Sequence, residues 1–428
     1  MALAKLKQDA TLARLAGITL PDGATWATAA RSDALARLSA MGLPTRRDEY
    51  WRYTDPASLI VADAPPAALF DNGEAPLFAG VDRIALVFVD GVFDAAQSDD
   101  LAGAGIEIHR LADVVQRDIH WAKDLYGTLE SRGQHPVERP LAALNTAIAS
   151  DGIVIRATAK VQKPVHLVYL HQSETSDVTL HNLVRIEAGA SLTLLETGPG
   201  AARLSTCLEV DIADGGQFHH IRAQGSDHER RAVTHCFAQL GAESVFKSFT
   251  LTFNGVLTRN ECVIDMRGDD AVAHVAGACV GDGGDFHHDD TVFVTHDALR
   301  GESRQVFKKV LRNGAVGVFQ GKILVKQGAQ KTDGYQISQA LLLDEDSQFL
   351  AKPELEIYAD DVACSHGSTT GAIDETALFY LRSRGVPMEA ARNLLTLSFL
   401  AEALAEIEDQ ALAEELQTRL EGWLARRA

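Results

Sequence analysis

Two short stretches decide the fold: Glu187-Ala188-Gly189-Ala190-Ser191-Leu192-Thr193-Leu194 and Gly241-Ala242-Glu243-Ser244-Val245-Phe246. Each is a tight corner of small and polar residues that leads straight into a strand. Around them, strand-like runs follow one another at 84–89, 153–158, 165–170, 178–186, 191–197, 206–212, 217–223, 245–253, 271–276, 291–294, 305–310 and 316–319. Turn dipeptides separate many of them: Asp151-Gly152, Asp214-Gly215, Asn254-Gly255, Asp282-Gly283 and Asn313-Gly314. Helical periodicity is nearly absent from 152 to 358. That excludes a doubly wound α/β fold, which needs a helix between successive parallel strands. A propeller, a large sandwich or a solenoid remains, and the corner phrases favour a β-solenoid although the repeat is irregular.

The flanks have a different period. Leu6, Leu12 and Leu15 fit helical steps in the first 60 residues, and a second helix is expected over 26–38. Then comes an ordered loop, Gly42-Leu43-Pro44-Thr45-Arg46-Arg47-Asp48-Glu49-Tyr50-Trp51-Arg52-Tyr53-Thr54-Asp55. Its aromatic side chains need something to rest on, and plain packing is the simpler reading. Residues 62–78, rich in Ala, Pro, Gly and Asp, read as a linker or a surface excursion. A helical insert over 121–150 carries Leu125, Leu129, Leu141, Leu144 and Ile148. After 373 the chain is helical again. Asp374 can cap a first helix and Gly385 can end it. Pro387 opens the next, and Leu412, Leu416 and Leu420 mark a last one over 409–424. The expected division is a helical region over 1–78, a strand region over 79–358, and the Cys364 segment with a helical region over 359–428.

With 40 Lys and Arg against 59 Asp and Glu, the net charge is −19. Such a surface repels phosphate backbones, so nucleic acid is not an expected partner. The five cysteines form no CxxC, and no long apolar run crosses a membrane. The opening residues lack the continuous apolar stretch of a secretion signal. A reducing cytoplasm is the expected setting.

Gly321-Lys322 imitates a phosphate-binding loop but fails: Val316 stands where the first glycine belongs, and Ile323 where a hydroxyl should meet Mg²⁺. GxSxG, HExxH and GxGxxG are absent, and no enzymatic activity is expected. Seven histidines bunch at 219, 220, 228, 235, 274, 287 and 288, with His296 close behind. On neighbouring turns of a solenoid, His235, His288 and Asp289 could converge with Cys262 or Cys279 on a metal, but satisfied histidines on strand faces are the plainer reading. The sharpest local cluster is Cys364-Ser365-His366-Gly367. Two residues apart on an extended segment, Cys364 and His366 share a face. Thiolate and imidazole suit iron, zinc or the edge of an iron–sulfur cluster. Two donors do not close such a site. A Cys–His nucleophile and a structural turn remain alternatives.

The run Arg312-Asn313-Gly314-Ala315-Val316-Gly317-Val318-Phe319-Gln320-Gly321-Lys322-Ile323 resembles the SufB/SufD family of iron–sulfur cluster assembly proteins. So do Gln330-Lys331-Thr332-Asp333-Gly334-Tyr335-Gln336, Leu341-Leu342-Leu343, Cys364-Ser365-His366-Gly367 and the run from Leu378 to Gly385. The loop around Leu43–Thr54 and the Cys-Ser-His-Gly form are similar to the SufD branch. The resemblance implies a right-handed parallel β-helix between N-terminal and C-terminal α-helical domains. It implies a complex in which the chain pairs with SufB through the β-helix and binds one SufC ATPase through its C-terminal helices, around 373–405. It further implies that His366, with Cys364 beside it, contributes to iron or a nascent iron–sulfur cluster shared transiently with SufB, with no cofactor held stably by the chain alone. A homodimer in isolation and a SufB-type scaffold that holds the cluster itself are the other readings.

Overall fold

The computed structural model describes residues 4–71 and 73–426. Its centre is a β-solenoid made of two ten-stranded sheets. From Val165 onward the chain visits the two sheets alternately, one strand in each per turn, and the ladders between turns are parallel. Register is strict. Ser191, Gln217, Val245, Val272, Glu302, Asp333 and Ala363 lie in line across the first sheet. The in-line set Arg203, Arg231, Leu257, His287, Val316 and Gln348 crosses the second.

Side chains alternate between the lumen and the outside, so each lumen position becomes a column. Leu192, Phe218, Phe246 and Ala273 form one such column. The Phe218 and Phe246 rings lie 5.8 Å apart. Burying each large apolar side chain of this kind contributes about 1.5–3 kcal/mol. The corners expected at Gly189 and Glu243 are members of a second repeating device. Gly189, Gly215, Glu243, Asp270, Arg300 and Lys331 all adopt positive φ. Each donates its backbone N–H to a carbonyl of the following corner, as Gly215 does to Ala242 and Arg300 to Gln330. The hydrogen bond to the next turn holds even charged residues in the left-handed conformation that L-residues avoid.

The helical segments clothe the two outer faces. The first helix, Lys5–Leu15, forms where expected, but its buried residues are Thr11 and Arg14, and Leu6 and Leu12 are exposed. Polar docking decides this: Arg14 reaches Asp177 at 3.0 Å, Thr11 accepts from the Leu43 N–H, and Lys7 pairs with Asp48. The helix Thr25–Met41 packs against Pro140–Ile148 of the insert, over the second sheet. Glu209, fully buried on that sheet, accepts from the N–H groups of Gly127, Leu129 and Glu130 and so caps the short helix Thr128–Arg132. The helices Met388–Leu404 and Gln410–Ala425 lie on the first sheet, where Leu400, Leu404, Leu416, Leu420 and Trp423 join Ile221, Phe249, Leu251 and Val306 in one apolar cluster. Asp374 caps the preceding helix, Glu375–Ser383, through the Thr376 and Ala377 N–H groups, and Gly385 follows with φ +84°.

The solenoid does not end at 358. The segment Ala363–Gly371 is its last strand in the first sheet, paired in parallel with Asp333–Leu342. Its Ser, Thr and Gly content resembles a loop, but the ladder below supplies the register.

The Tyr50–Thr54 loop rests on a buried ionic layer of the second sheet. Arg259 pairs with Glu261 at 2.8 Å and with Asp289, and Arg139 pairs with Glu261 at 2.9 Å. The loop supplies the remaining contacts: the Tyr50 carbonyl accepts from Arg259 and Gln320, Thr54 donates to Asp289, and Trp51 lies against the Arg259 guanidinium. Removing one member leaves a buried charge unpaired, so Glu261→Ala should destabilise the fold by about 3–5 kcal/mol in urea unfolding.

Burial also holds several imidazoles neutral. It lowers His166, His228 and His288 to about 3, and His235 and His296 to about 4, from an ordinary 6.5. The unfolded chain takes up protons at these positions below about pH 6.5, whereas the folded chain resists until near pH 3–4. Their contribution is therefore complete above pH 6.5 and is lost as the pH falls through that window. Unfolding free energy measured from pH 7 down to pH 5 should decline at a limiting slope of about 1.4 kcal/mol per pH unit per histidine. A flat profile would contradict neutral burial.

Candidate functional site

The C-terminal rim of the solenoid is where the ladders stop. Gln348–Ile357 pairs with Val316–Val325, and Ala363–Gly371 with Asp333–Leu342; no further strand follows either among the described residues. The two edges differ. Gln348–Ile357 contains Pro353, which cannot donate to another strand. It is also clamped by the N-terminal loop: Lys352 sits 3.9 Å from the Tyr50 ring centroid and 2.7 Å from Glu49, and the Tyr50 hydroxyl donates to Glu354. Most of Ala363–Gly371 is exposed, and the strand contains no proline.

Cys364 and His366 lie on this open strand, on one face as their spacing requires. Cys364 stands in line with Gly334 and Ser303. A Cβ placed on Gly334 would come 3.2 Å from the Cys364 Sγ, so the thiol faces the lumen beside Ile323. It is half-buried, and burial pushes its pKa up. His366 is exposed at the top of a column whose lower members are Gln336 and Gln305. Gln336 Nε2 donates to Gln305 Oε1 at 2.8 Å, while Gln336 Oε1 is buried without a partner among the described residues. The Gln336 amide occupies the space a side chain would take at Gly321, which explains the glycine in the false phosphate loop. Lys322 of the same run pairs with Glu356 across the rim.

No group of three or more His, Cys, Asp or Glu is placed to hold a metal among the described residues. The expected convergence of His235, His288 and Asp289 with Cys262 or Cys279 does not occur. Strand alternation divides them: His235 and Asp289 face outward, whereas His288, Cys262 and Cys279 face the lumen. His288 meets Lys309 at 2.8 Å, and Asp289 is engaged by Arg259 and Thr54. His219 and His274 instead face Glu408 and Glu406 of the C-terminal region. Cys279 is fully buried, and burial raises its pKa to about 12.

The other surface expected to matter, 373–405, divides in two. Leu378 is buried, and Phe399 is partly buried with Lys308 4.7 Å from its ring centroid. Phe379, Tyr380 and Leu394 are 74%, 55% and 50% exposed, so these three are not part of the domain's own core. Among the described residues, no helix is long and apolar enough to cross a membrane.

Residues 169–399 match the family described as "SUF system FeS cluster assembly, SufBD core domain". The chain is 28% identical to the iron–sulfur cluster assembly protein SufD of Escherichia coli (strain K12), over 90% of each chain. It is 28% identical to an iron–sulfur cluster assembly SufBD family protein of Synechocystis sp., over 91% of this chain and 88% of that one. It is 27% identical to SufD of Bacillus subtilis (strain 168), over 66% of this chain and 67% of that one. The matched stretch includes the solenoid from Tyr169 to its rim and reaches into the C-terminal helices, so the chain belongs to the SufB/SufD family and has a SufD-family role in iron–sulfur cluster assembly.

Proposed function

We propose that the chain is the non-ATPase subunit of a SufBCD-type complex, non-catalytic by itself, joined to a SufB partner through the open rim and to one SufC ATPase through the C-terminal helices. One observation carries the reading: an unpaired strand edge presents Cys364 and His366 side by side with an incomplete donor set. Two donors on an edge call for the rest of a coordination shell from outside. An added strand satisfies the free N–H and C=O groups of such an edge. The cluster is cargo under assembly, shared across the joint. Cys364 is the weaker donor at neutral pH because partial burial raises its thiol pKa.

The ATPase contact is assigned to Phe379, Tyr380 and Leu394. These side chains stand on the helices Glu375–Ser383 and Met388–Leu404 and lie outside the apolar cluster that packs the C-terminal region on the solenoid. Aromatic groups with large exposed area are characteristic anchors of protein interfaces.

Two experiments test the assignment. After anaerobic co-expression with SufB and SufC, His366→Ala should leave the mass of the complex unchanged and lower iron and acid-labile sulfide per complex several-fold. Unchanged cluster content would remove His366 from the shared site. Phe379→Asp should weaken SufC capture by tenfold or more, about 1.4 kcal/mol or above. Its melting temperature should stay within a degree or two of the wild type, because an exposed side chain contributes little to the fold. Full SufC binding by the variant would move the contact elsewhere.

A further inference from the structure

The lumen contains positive charge that its own carboxylates do not balance. Arg230, 1% exposed, lies at the start of the strand Arg231–Leu240 and faces inward. It has no carboxylate partner among the described residues. Its Nη2 donates to Gln224 Oε1 at 3.0 Å, and its Nε and Nη1 have no acceptor among the described residues. Arg222, one turn below the Thr250 that accepts from its Nη2, also keeps an unsatisfied Nε. Both guanidiniums line one small void, with Thr206, Thr234 and Glu196 also on its wall. Glu196 is already bound by His220 Nε2 at 2.8 Å. The next carboxylate along the lumen, Asp290, is held by Lys309 at 2.5 Å. His228 is neutral at pH 7 and adds no charge. The void therefore faces two cations and one engaged carboxylate.

An enclosed guanidinium with free donors is costly, and arginine does not escape by releasing its proton. Burial and the neighbouring Arg222 lower Arg230 to about 9, which still leaves it charged at neutral pH. The void has room for about one water-sized particle, too little for sulfate, phosphate or a carboxylate. We infer that the solenoid binds one small monovalent inorganic anion of halide size between Arg222 and Arg230, on hydroxyl and amide groups of the lumen wall. The site lies away from the rim and is independent of the partner reading.

Bromide is the probe. Crystals of the full chain grown from bromide should show an anomalous peak in the void within hydrogen-bonding distance of Arg230 Nη1 or Nε. A void with water or nothing there in bromide overturns the inference. In solution, the melting temperature should be a few degrees higher in chloride than in gluconate of equal ionic strength, since gluconate is too large to enter. Arg230→Gln should abolish that difference without lowering the melting temperature in gluconate, because it removes a buried cation along with its site. If that variant does not fold, the bromide density of the wild-type chain decides. Equal melting temperatures of the wild type in the two salts would count against the inference.

Discussion

Strict in-register stacking of parallel strands is the constraint on which the rest of this molecule depends. Each paired strand residue of the solenoid lies over the same position of the turn below, about 4.8 Å away. A side chain is thus chosen by its column as much as by its neighbours in sequence. Phe218 over Leu192 is cheap because apolar surface meets apolar surface. A charge in the lumen must find its counter-charge or hydrogen bonds in its own layer or in the adjoining ones. Lys309 does so with Asp290 and His288, and His220 does so with Glu196 and Ser248. The same rule makes corners repeat. Once Gly189 and Gly215 set a left-handed corner that hands its N–H to the next turn, Glu243, Asp270, Arg300 and Lys331 follow it at positions where their side chains alone would not choose it.

The outer faces solve a different problem. A solenoid face left bare would be a broad strip of half-apolar sheet, open to association. The first sheet is covered by hydrophobic contact with the C-terminal helices. The second is covered in part by ions, with Arg139, Arg259, Glu261 and Asp289 buried under the Tyr50–Thr54 loop. Ions of this kind contribute little net stability, but they penalise misplacement heavily. A loop shifted by one residue would leave Asp289 without Thr54 and Arg259 without the Tyr50 carbonyl. Geometry of this sort positions the N-terminal segment so that Tyr50 and Glu49 reach the rim and hold Lys352 and Glu354.

Much of this was legible in sequence wherever side-chain pattern and backbone agreed. Runs such as 165–170, 191–197 and 245–253 coincide with observed strands because their apolar residues are buried on the lumen side, as Leu192 and Phe246 are, or under the C-terminal helices, as Leu195, Phe249 and Leu251 are. The helix cap at Asp374 was legible for a local reason, since one side chain satisfies nearby N–H groups. The strand Leu257–Met266 was not, because Arg259, Asn260 and Glu261 are buried against partners far away in the chain. Gln348–Ile357 was hidden by Pro353 and alternating charges, features tolerated only because it is an edge. Ala363–Gly371 looked like a turn, yet its Cys-x-His spacing already implied that both donors share a face. Phe379 and Tyr380 could not be separated from Leu378 by sequence, since exposure depends on which way a helix is pressed. Arg230 follows Asp227-His228-Glu229 and reads as part of a solvated turn. Only the fold places it in the lumen.

The rim joins these strands of reasoning. Of the two terminal edges, one is spoiled for pairing by Pro353 and the N-terminal clamp, and the other is left open. An open edge in a stable protein is a hazard unless something regularly covers it. Here the column rule adds specificity to that general demand. A strand joined in register to Ala363–Gly371 would extend the columns, setting its own side chains over Cys364 and over His366. Beneath His366, Gln336 offers a buried oxygen without a partner, and Gln305 supports that amide from the turn below. An imidazole N–H donated downward to that oxygen would leave the other nitrogen free to act as a ligand toward the joint. The lumen column would thus fix the tautomer, while the partner's register would fix the ligand set. The ladder that builds the solenoid would also align the two halves of a shared coordination shell, without any loop having to close over it.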